Sequence, residues 1–127
     1  MPDILIDTNI VIYLFKKEKK YIDFMESGEK NAGISIVTYM ETLIGAQNER
    51  EEQTIRAFLD QFEVIPLDID IARQAAAWIR LKKQKGMRHP GTSDTIIGHT
   101  ALFLGVPLVT NNRKDFAAFT GLKITVP

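Results

Sequence analysis

The chain has 127 residues, of which 45% are hydrophobic and 25% charged, and its formal net charge is zero. This length can bury a core without a disulfide or a structural metal, so we predict a single domain over residues 1–127. The chain contains no cysteine, which excludes thiolate catalysis and Cys-ligated zinc and agrees with a reducing cytoplasm.

The first apolar stretch predicts a strand followed by a helix. Asp3 and Asp7 interrupt it and no basic segment precedes it, so we interpret it as neither a signal peptide nor a membrane span. Residues 4–6 are apolar and rich in β-branched side chains, which is typical of a buried strand. Residues 7–9 are good helix caps and precede a helix over 10–15. We expect a cytoplasmic protein with no membrane contact.

The rest of the chain alternates between predicted helices and strands. Helices are predicted over residues 18–27, 38–47, 49–62, 69–85, 94–104 and 114–119. Strands are predicted over residues 32–37, 64–67, 106–109 and 122–126, and a loop over 86–93. Tyr13, Phe15, Trp78 and Phe103 fit the spacing of core residues better than a platform for stacking bases. This alternation predicts an α/β fold, with a parallel sheet covered by helices on both faces.

Acidic residues become rare in the second half of the chain. Beyond Asp70 the sequence has only two, Asp94 and Asp115. Both are predicted at helix starts, as are Asp7 and Glu41 in the first half. Helices that follow parallel strands begin at one edge of the sheet, where ligands bind. We therefore expect Asp7, Glu41 and Asp115 on one rim, with the preceding loop bringing Asp94 to it.

Two interpretations of these acids compete. Asp7 and Asp94 are good N-caps, Thr38-x-x-Glu41 matches a capping box, and Asp115 suits the positive end of a helix. Capping explains acids at helix starts, but not why the acids beyond position 70 occur only there. A convergent group of carboxylates is what Mg²⁺ requires, and helix N-termini would help to keep them ionised. Metal-activated water needs no nucleophilic side chain.

A basic run over residues 80–88 lies shortly before Asp94. It is either a solvated helix end, where cations suit the dipole, or a patch that contacts the phosphates of a nucleic acid. The candidate phosphate contacts are Lys82, Lys83, Lys85 and Arg88. His99 lies about 140° around the helix from Asp94, so we interpret it as a packing or surface residue. His89, in the loop ahead of Asp94, is either a substrate contact or a surface residue, and we interpret it as a surface residue.

Four short motifs, taken in order, resemble a known family. They are Leu5-Ile6-Asp7-Thr8-Asn9, Ser35-x-x-Thr38-x-x-Glu41, Ser93-Asp94-x-x-Ile97 and Val109-Thr110-Asn111-Asn112-x-x-Asp115-Phe116. The ordered set spans nearly the whole chain and resembles the VapC-type PIN domain. The resemblance implies a three-layer α/β/α sandwich with a mainly parallel central sheet.

The resemblance also implies a metal-dependent endoribonuclease, the toxin of a VapBC toxin–antitoxin pair. Asp7, Glu41 and Asp94 would form the shared acidic site and bind Mg²⁺, or Mn²⁺ in its place. Some members carry a fourth acid where Asn112 stands, and others carry it three residues later, as with Asp115. Thr110 and Asn112 are candidate substrate contacts. The implied partners are RNA, a small VapB-type antitoxin, a second copy of the chain, and operator DNA reached only through the antitoxin.

Two other functions stay open at this point. A haloacid dehalogenase-like phosphohydrolase also begins with a strand that ends in Asp, but it needs a second Asp two residues later, where this chain has Asn9. The chain would also leave little room for a cap domain. The other alternative is a degenerate PIN-like module that only binds a partner. The intact acids Asp7, Glu41 and Asp94 argue against it.

Overall fold

Strands and helices alternate as predicted in the computed structural model of the protein, which describes residues 1–28 and 30–127. The strands in those residues are β1 (Ile4–Ile6), β2 (Ala32–Ser35), β3 (Glu63–Ile65), β4 (Leu108–Val109) and β5 (Ile124–Thr125). The helices are α1 (Thr8–Phe15), α2 (Lys19–Gly28), α3 (Ile36–Ile44), α4 (Glu49–Leu59), α5 (Ile69–Gln84), α6 (Thr92–Leu104) and α7 (Arg113–Phe116).

The strands form a single sheet in the order β3-β2-β1-β4-β5, and every neighbouring pair is parallel. From β1 the chain first builds the sheet outward through β2 and β3. It then returns to the other side of β1 and adds β4 and β5. The direction therefore reverses between β1 and β4, and in open parallel sheets ligands bind outside the carboxyl ends of the strands at such a reversal.

Side chains of β1 alternate between the two faces of the sheet, as strand geometry requires. Ile4 and Ile6 belong to one buried cluster with residues of α1, α2 and α4. Leu5 belongs to a second buried cluster with residues of α6 and α7, and Trp78 of α5 packs against it. Helices thus cover both faces, which confirms the predicted α/β/α sandwich.

Several predicted boundaries are wrong. Residues 36 and 37 are β-branched and were expected to end β2, but they begin α3, because the Ser35 hydroxyl caps that helix by accepting from Val37 N at 3.0 Å. Helix α6 begins at Thr92 rather than at Asp94. Phe103 was expected in the core, but 53% of it is exposed. Spacing alone could not tell which side of α6 the neighbouring elements leave uncovered.

Packing between α6 and the chain after α7 depends on a small residue. Gly98 is buried on α6, and a Cβ atom there would lie 3.1 Å from the ring of Phe119. That ring stacks on Trp78 of α5 with 4.4 Å between centroids. Within the described part of the chain, no helix has the length and apolar character that crossing a bilayer requires.

Candidate active site

Asp7 is the residue that follows β1 at the point where the sheet changes direction. Ile6 pairs with Val109 of β4, so Asp7 and Thr110 are the next pair beyond the two strands. The Thr110 hydroxyl donates to Oδ2 of Asp7 at 2.7 Å, and the backbone N–H of Thr8 donates to Oδ1 at 2.8 Å. Asp7 is 5% exposed. It caps α1, as the capping interpretation predicted. It also lies at the carboxyl edge of the sheet, where ligands bind in open parallel sheets.

Glu41 reaches this edge from α3. The Thr8 hydroxyl donates to its Oε1 at 2.7 Å and lies 3.0 Å from the hydroxyl of Thr38. The predicted capping box is therefore wrong, because Ser35 is the cap and Glu41 is the sixth residue of the helix rather than part of its first turn. Thr38 and Glu41 lie three residues apart on one face of α3, and Thr8 contacts both.

Asp94 comes from the first turn of α6, where it is the third residue. The N-cap position is Gly91, which makes no side-chain capping bond, so the interpretation of Asp94 as a cap is wrong. Among the residues that the structure describes, no hydrogen bond to the Asp94 carboxylate is found. Capping therefore does not explain this acid.

The fourth acid, Asp115, lies in α7 and is hydrogen-bonded to Asn112, the residue at the other position where the family can carry this acid. The Asn112 side-chain amide donates to Oδ2 of Asp115 at 2.7 Å. Asn112 in turn donates its backbone N–H to the hydroxyl of Thr110 at 2.9 Å. One chain of hydrogen bonds thus links Asp115 through Asn112 and Thr110 to Asp7.

The four carboxylates interact electrostatically, which is seen in the pKa of Asp94. Burial raises the pKa of Asp94 to about 6, and the negative charges of Asp7, Glu41 and Asp115 add to this. Burial also raises the pKa of Asp7, although the hydrogen bonds from Thr110 and Thr8 oppose the shift. The expectation that helix ends would favour the ionised forms of these two acids is thus outweighed by burial and mutual repulsion.

The donor set fits a hydrated hard cation better than a closed protein cage. In residues 1–28 and 30–127, no three acidic or imidazole side chains converge into a ready-made metal-binding group. Mg²⁺, however, usually takes one or two protein carboxylates and keeps several waters, leaving positions for phosphate oxygens. None of the four carboxylates forms an ion pair within the same residues. A divalent cation would offset their repulsion.

The basic run does not act as one patch in the structure. The Lys82 ammonium lies 5.0 Å from the centre of the Trp78 ring. Lys83 lines a cavity between α5 and α6, and Lys85 is exposed at the end of α5. Arg88, by contrast, lines a cavity together with one of the acids, Asp115.

The two histidines lie in different environments. His99 is buried, its Nδ1 lies 3.0 Å from the carbonyl oxygen of Thr95, and its ring contacts Trp78 and Phe119 edge to face. This confirms its packing role. His89 is half-buried, and its Nδ1 accepts a hydrogen bond from Gly91 N at 3.2 Å.

Sequence reasoning missed the threonines that hold the acids. Thr8 was considered only as a helix cap, and Thr38 only as part of a capping box. The available signal was a hydroxyl residue directly after Asp7 and another three residues before Glu41. Their contact spans 30 positions, so the local pattern could name the residues but not join them.

Comparisons with known proteins identify the family of the chain. A PIN domain family profile matches residues 4–122. The chain is 33% identical to Ribonuclease VapC1 of Methanocaldococcus jannaschii over 95% of this chain and 85% of that one. It is 31% identical to the tRNA(fMet)-specific endonuclease VapC of Shigella flexneri, covering 97% and 96% of the two chains.

A solved structure has the same fold as this chain. It is that of DNA-bound VapBC from Salmonella typhimurium, which aligns with a TM-score of 0.85 at 27% identity. The alignment covers 99% of this chain and 98% of that one.

Proposed function

The chain belongs to the PIN domain family, and from that premise we propose that it is a divalent-metal-dependent endoribonuclease, the toxin of a VapBC toxin–antitoxin pair. The observation that carries this proposal is the group formed by Asp7, Glu41, Asp94 and Asp115. These acids come from four separate segments, and three of them raise the pKa of the fourth. No ion pair within the described residues neutralises them. Such repulsion is costly unless a cation binds.

Asp7, Glu41 and Asp94 are the residues that would hold the metal, Mg²⁺ or Mn²⁺, either directly or through its bound waters. When bound, the ion would polarise the phosphodiester and lower the pKa of a water molecule for attack. Thr110 and Thr8 orient the Asp7 carboxylate from two sides, and Thr8 also orients Glu41. Asp115 carries further negative charge close to Asp94. The fourth acid of the group is therefore Asp115, since position 112 is an asparagine.

The proposed substrate is RNA, and the proposed partner is a small VapB-type antitoxin. The Shigella relative is named as specific for tRNA(fMet), so initiator tRNA is the first substrate to test. In the Salmonella structure, VapBC is bound to DNA. We propose that this chain likewise reaches operator DNA through its antitoxin, that it works in the cytoplasm, and that it forms a homodimer.

Of the two alternative functions, the phosphohydrolase is excluded and the partner-binding module is left for experiment. A haloacid dehalogenase-like phosphohydrolase is excluded by membership of the PIN family, and Asn9 cannot act as its acid and base. A module that only binds a partner makes a different experimental prediction, because it would not cleave RNA under any metal condition.

The experiment is a cleavage assay on the purified chain freed of antitoxin. We expect initiator tRNA or single-stranded RNA to be cut with Mg²⁺ or Mn²⁺ and to survive in excess EDTA. Asp94→Asn should lower the rate by orders of magnitude. Asp70→Asn, which changes an exposed acid on α5, should cut like the parent. Cleavage that persists in EDTA would contradict the metal site, and no cleavage with either metal would favour the binding module.

A further inference from the structure

A cleft of about 360 Å³ with both polar and apolar walls opens beside Asp115, and we call it the Arg88 cleft. Its lining residues are Arg88, His89, Pro90, Lys114, Asp115 and Ala118. We propose that the Arg88 cleft binds the nucleotide of a single-stranded RNA that lies next to the bond cleaved at the carboxylates. This inference rests on the proposed function and adds to it the path of the substrate.

The position of the cleft follows from Asp115. This residue lines the cleft, and its charge also acts on Asp94 in the acidic group. The cleft therefore adjoins the candidate active site at Asp115. Its volume is near the lower end of the range of ligand pockets, roughly 300–1,000 Å³, which suits one nucleotide rather than a folded partner.

The charges of the cleft suit a phosphate. Arg88 and Lys114 are both exposed, and neither forms an ion pair in residues 1–28 and 30–127. The Asp115 carboxylate accepts from Asn112 instead of pairing with either cation. An RNA strand that approaches four acids meets repulsion, so cations on an adjoining wall are needed to hold the neighbouring phosphate.

The remaining lining residues suit the sugar and the base. Nδ1 of His89 accepts the N–H of Gly91, which assigns the ring proton to Nε2 and leaves that atom as a donor. Gly91 has a φ of 103°, a conformation that favours glycine. Pro90 and Ala118 add apolar surface. The cleft thus combines cations, an imidazole N–H donor and an apolar wall.

The test compares two double variants with the same change in charge. The cleft variant is Arg88→Gln with Lys114→Gln. The control is Arg73→Gln with Lys123→Gln, two exposed positions outside the cleft. Binding of the whole chain to a fluorescein-labelled oligouridylate is measured in EDTA, so that no cleavage occurs, over a series of salt concentrations.

We expect the cleft variant to bind about tenfold more weakly, and its salt slope to fall by about 1.4, since each phosphate contact on a single strand contributes about 0.7. The control should keep the affinity and slope of the parent. Equal losses in the two variants, or no loss in the cleft variant, would overturn the proposal, as would a parent that binds no RNA.

A second arm separates this inference from the proposed function. In Mn²⁺, the cleft variant should show a raised KM for RNA, while kcat changes less than twofold. A parent that cleaves RNA beside a cleft variant with unchanged KM would contradict the cleft and leave the ribonuclease proposal standing. A parent that never cleaves RNA, but whose binding depends on Arg88 and Lys114, would support the cleft and contradict the ribonuclease proposal.

Discussion

The hydroxyl of Thr8 donates to Oε1 of Glu41 across 2.7 Å, joining the start of α1 to the middle of α3. A hydroxyl has one proton, so Thr8 can only accept from Thr38, whose hydroxyl lies 3.0 Å away. The bonds therefore run from Thr38 to Thr8 to Glu41. Because the backbone N–H of Thr8 also binds Asp7, this one residue fixes the relative position of two proposed metal ligands.

Replacing Thr8 by Val should impair cleavage more than folding. Val keeps the shape of the side chain but removes the donor to Glu41, and a displacement of about 1 Å at a reacting group can cost about a hundredfold in rate. We expect kcat to fall between about ten- and a hundredfold with little change in KM for RNA. Thr8→Ser retains the hydroxyl and should restore most of kcat. A Thr8→Val protein with parental kcat would show that the bond to Glu41 does not position the site.

Replacing Asp7 by Asn distinguishes a metal ligand from a helix cap. Asn caps helices about as well as Asp, and it removes one negative charge from the acidic group. We expect the melting temperature of the metal-free protein to be unchanged or slightly raised. RNA cleavage should fall by orders of magnitude, and stabilisation by Mn²⁺ should shrink. Melting curves with and without Mn²⁺, run beside a cleavage assay, measure all three.

The matched control for that change is Asp68→Asn. Asp68 caps α5, and its carboxylate accepts from Ile71 N at 2.8 Å. This variant should keep both its stability and its cleavage rate. If Asp7→Asn also cleaves RNA like the parent, then Asp7 is only a cap.

The stability of the metal-free protein should depend on the ionisation of Asp94. Its pKa is raised from 3.8 to about 6 in the folded state, so the folded state holds the proton more tightly than the unfolded chain. This raised pKa favours the folded state at low pH. The advantage declines as pH rises from about 4 to about 6, and above pH 6 the ionised form carries its full penalty. The raised pKa of Asp7 acts in the same direction.

Melting curves of the parent and of Asp94→Asn in EDTA, between pH 4 and 7.5, measure this dependence. The parent should lose stability relative to the variant between about pH 4 and about pH 6, and the difference should then stay constant up to pH 7.5. Added Mg²⁺ should narrow the difference above pH 6, because the cation replaces the proton as the group that offsets the repulsion. A difference that does not change with pH would contradict the raised pKa of Asp94.

Gly98→Ala should destabilise the fold. The new Cβ would lie 3.1 Å from the ring of Phe119, which is held against Trp78 by stacking. Overpacking of this kind costs about 1–3 kcal/mol. Gly45→Ala is the control, since a Cβ there would lie 3.4 Å from the carbonyl oxygen of Thr42 and its φ is −73°. It should be neutral or slightly stabilising, and urea unfolding compares the two.

How much of the site could be read from the sequence differs between the acids. Asp7 follows an apolar strand directly, so its position at the sheet edge was predictable from parallel topology. Glu41 was expected within the first turn of a helix that begins at residue 38. The helix instead begins at Ile36 with Ser35 as its cap, because residues 36 and 37 are helical although their side chains are β-branched. Local propensity favoured a longer strand there, and tertiary packing decided otherwise.

The parts that could not be predicted depend on distant contacts. The bonds from Thr8 to Glu41 and from Thr110 to Asp7 join segments 33 and 103 positions apart, and no periodic pattern encodes them. The same holds for Phe103, whose exposure depends on which helices lie beside α6. The basic run likewise looked continuous in sequence, although only Arg88 reaches the cleft beside Asp115.

The order of the strands also bears on synthesis. Asp7 is made more than a hundred residues before Thr110, which holds its carboxylate, and before Asp115. In a nascent chain that lacks β4, the edge of β1 that pairs with β4 in the folded protein has no partner strand. The acidic group of four therefore cannot assemble while those residues are still within the ribosome, so on the proposed function the nascent chain has no ribonuclease activity before they emerge.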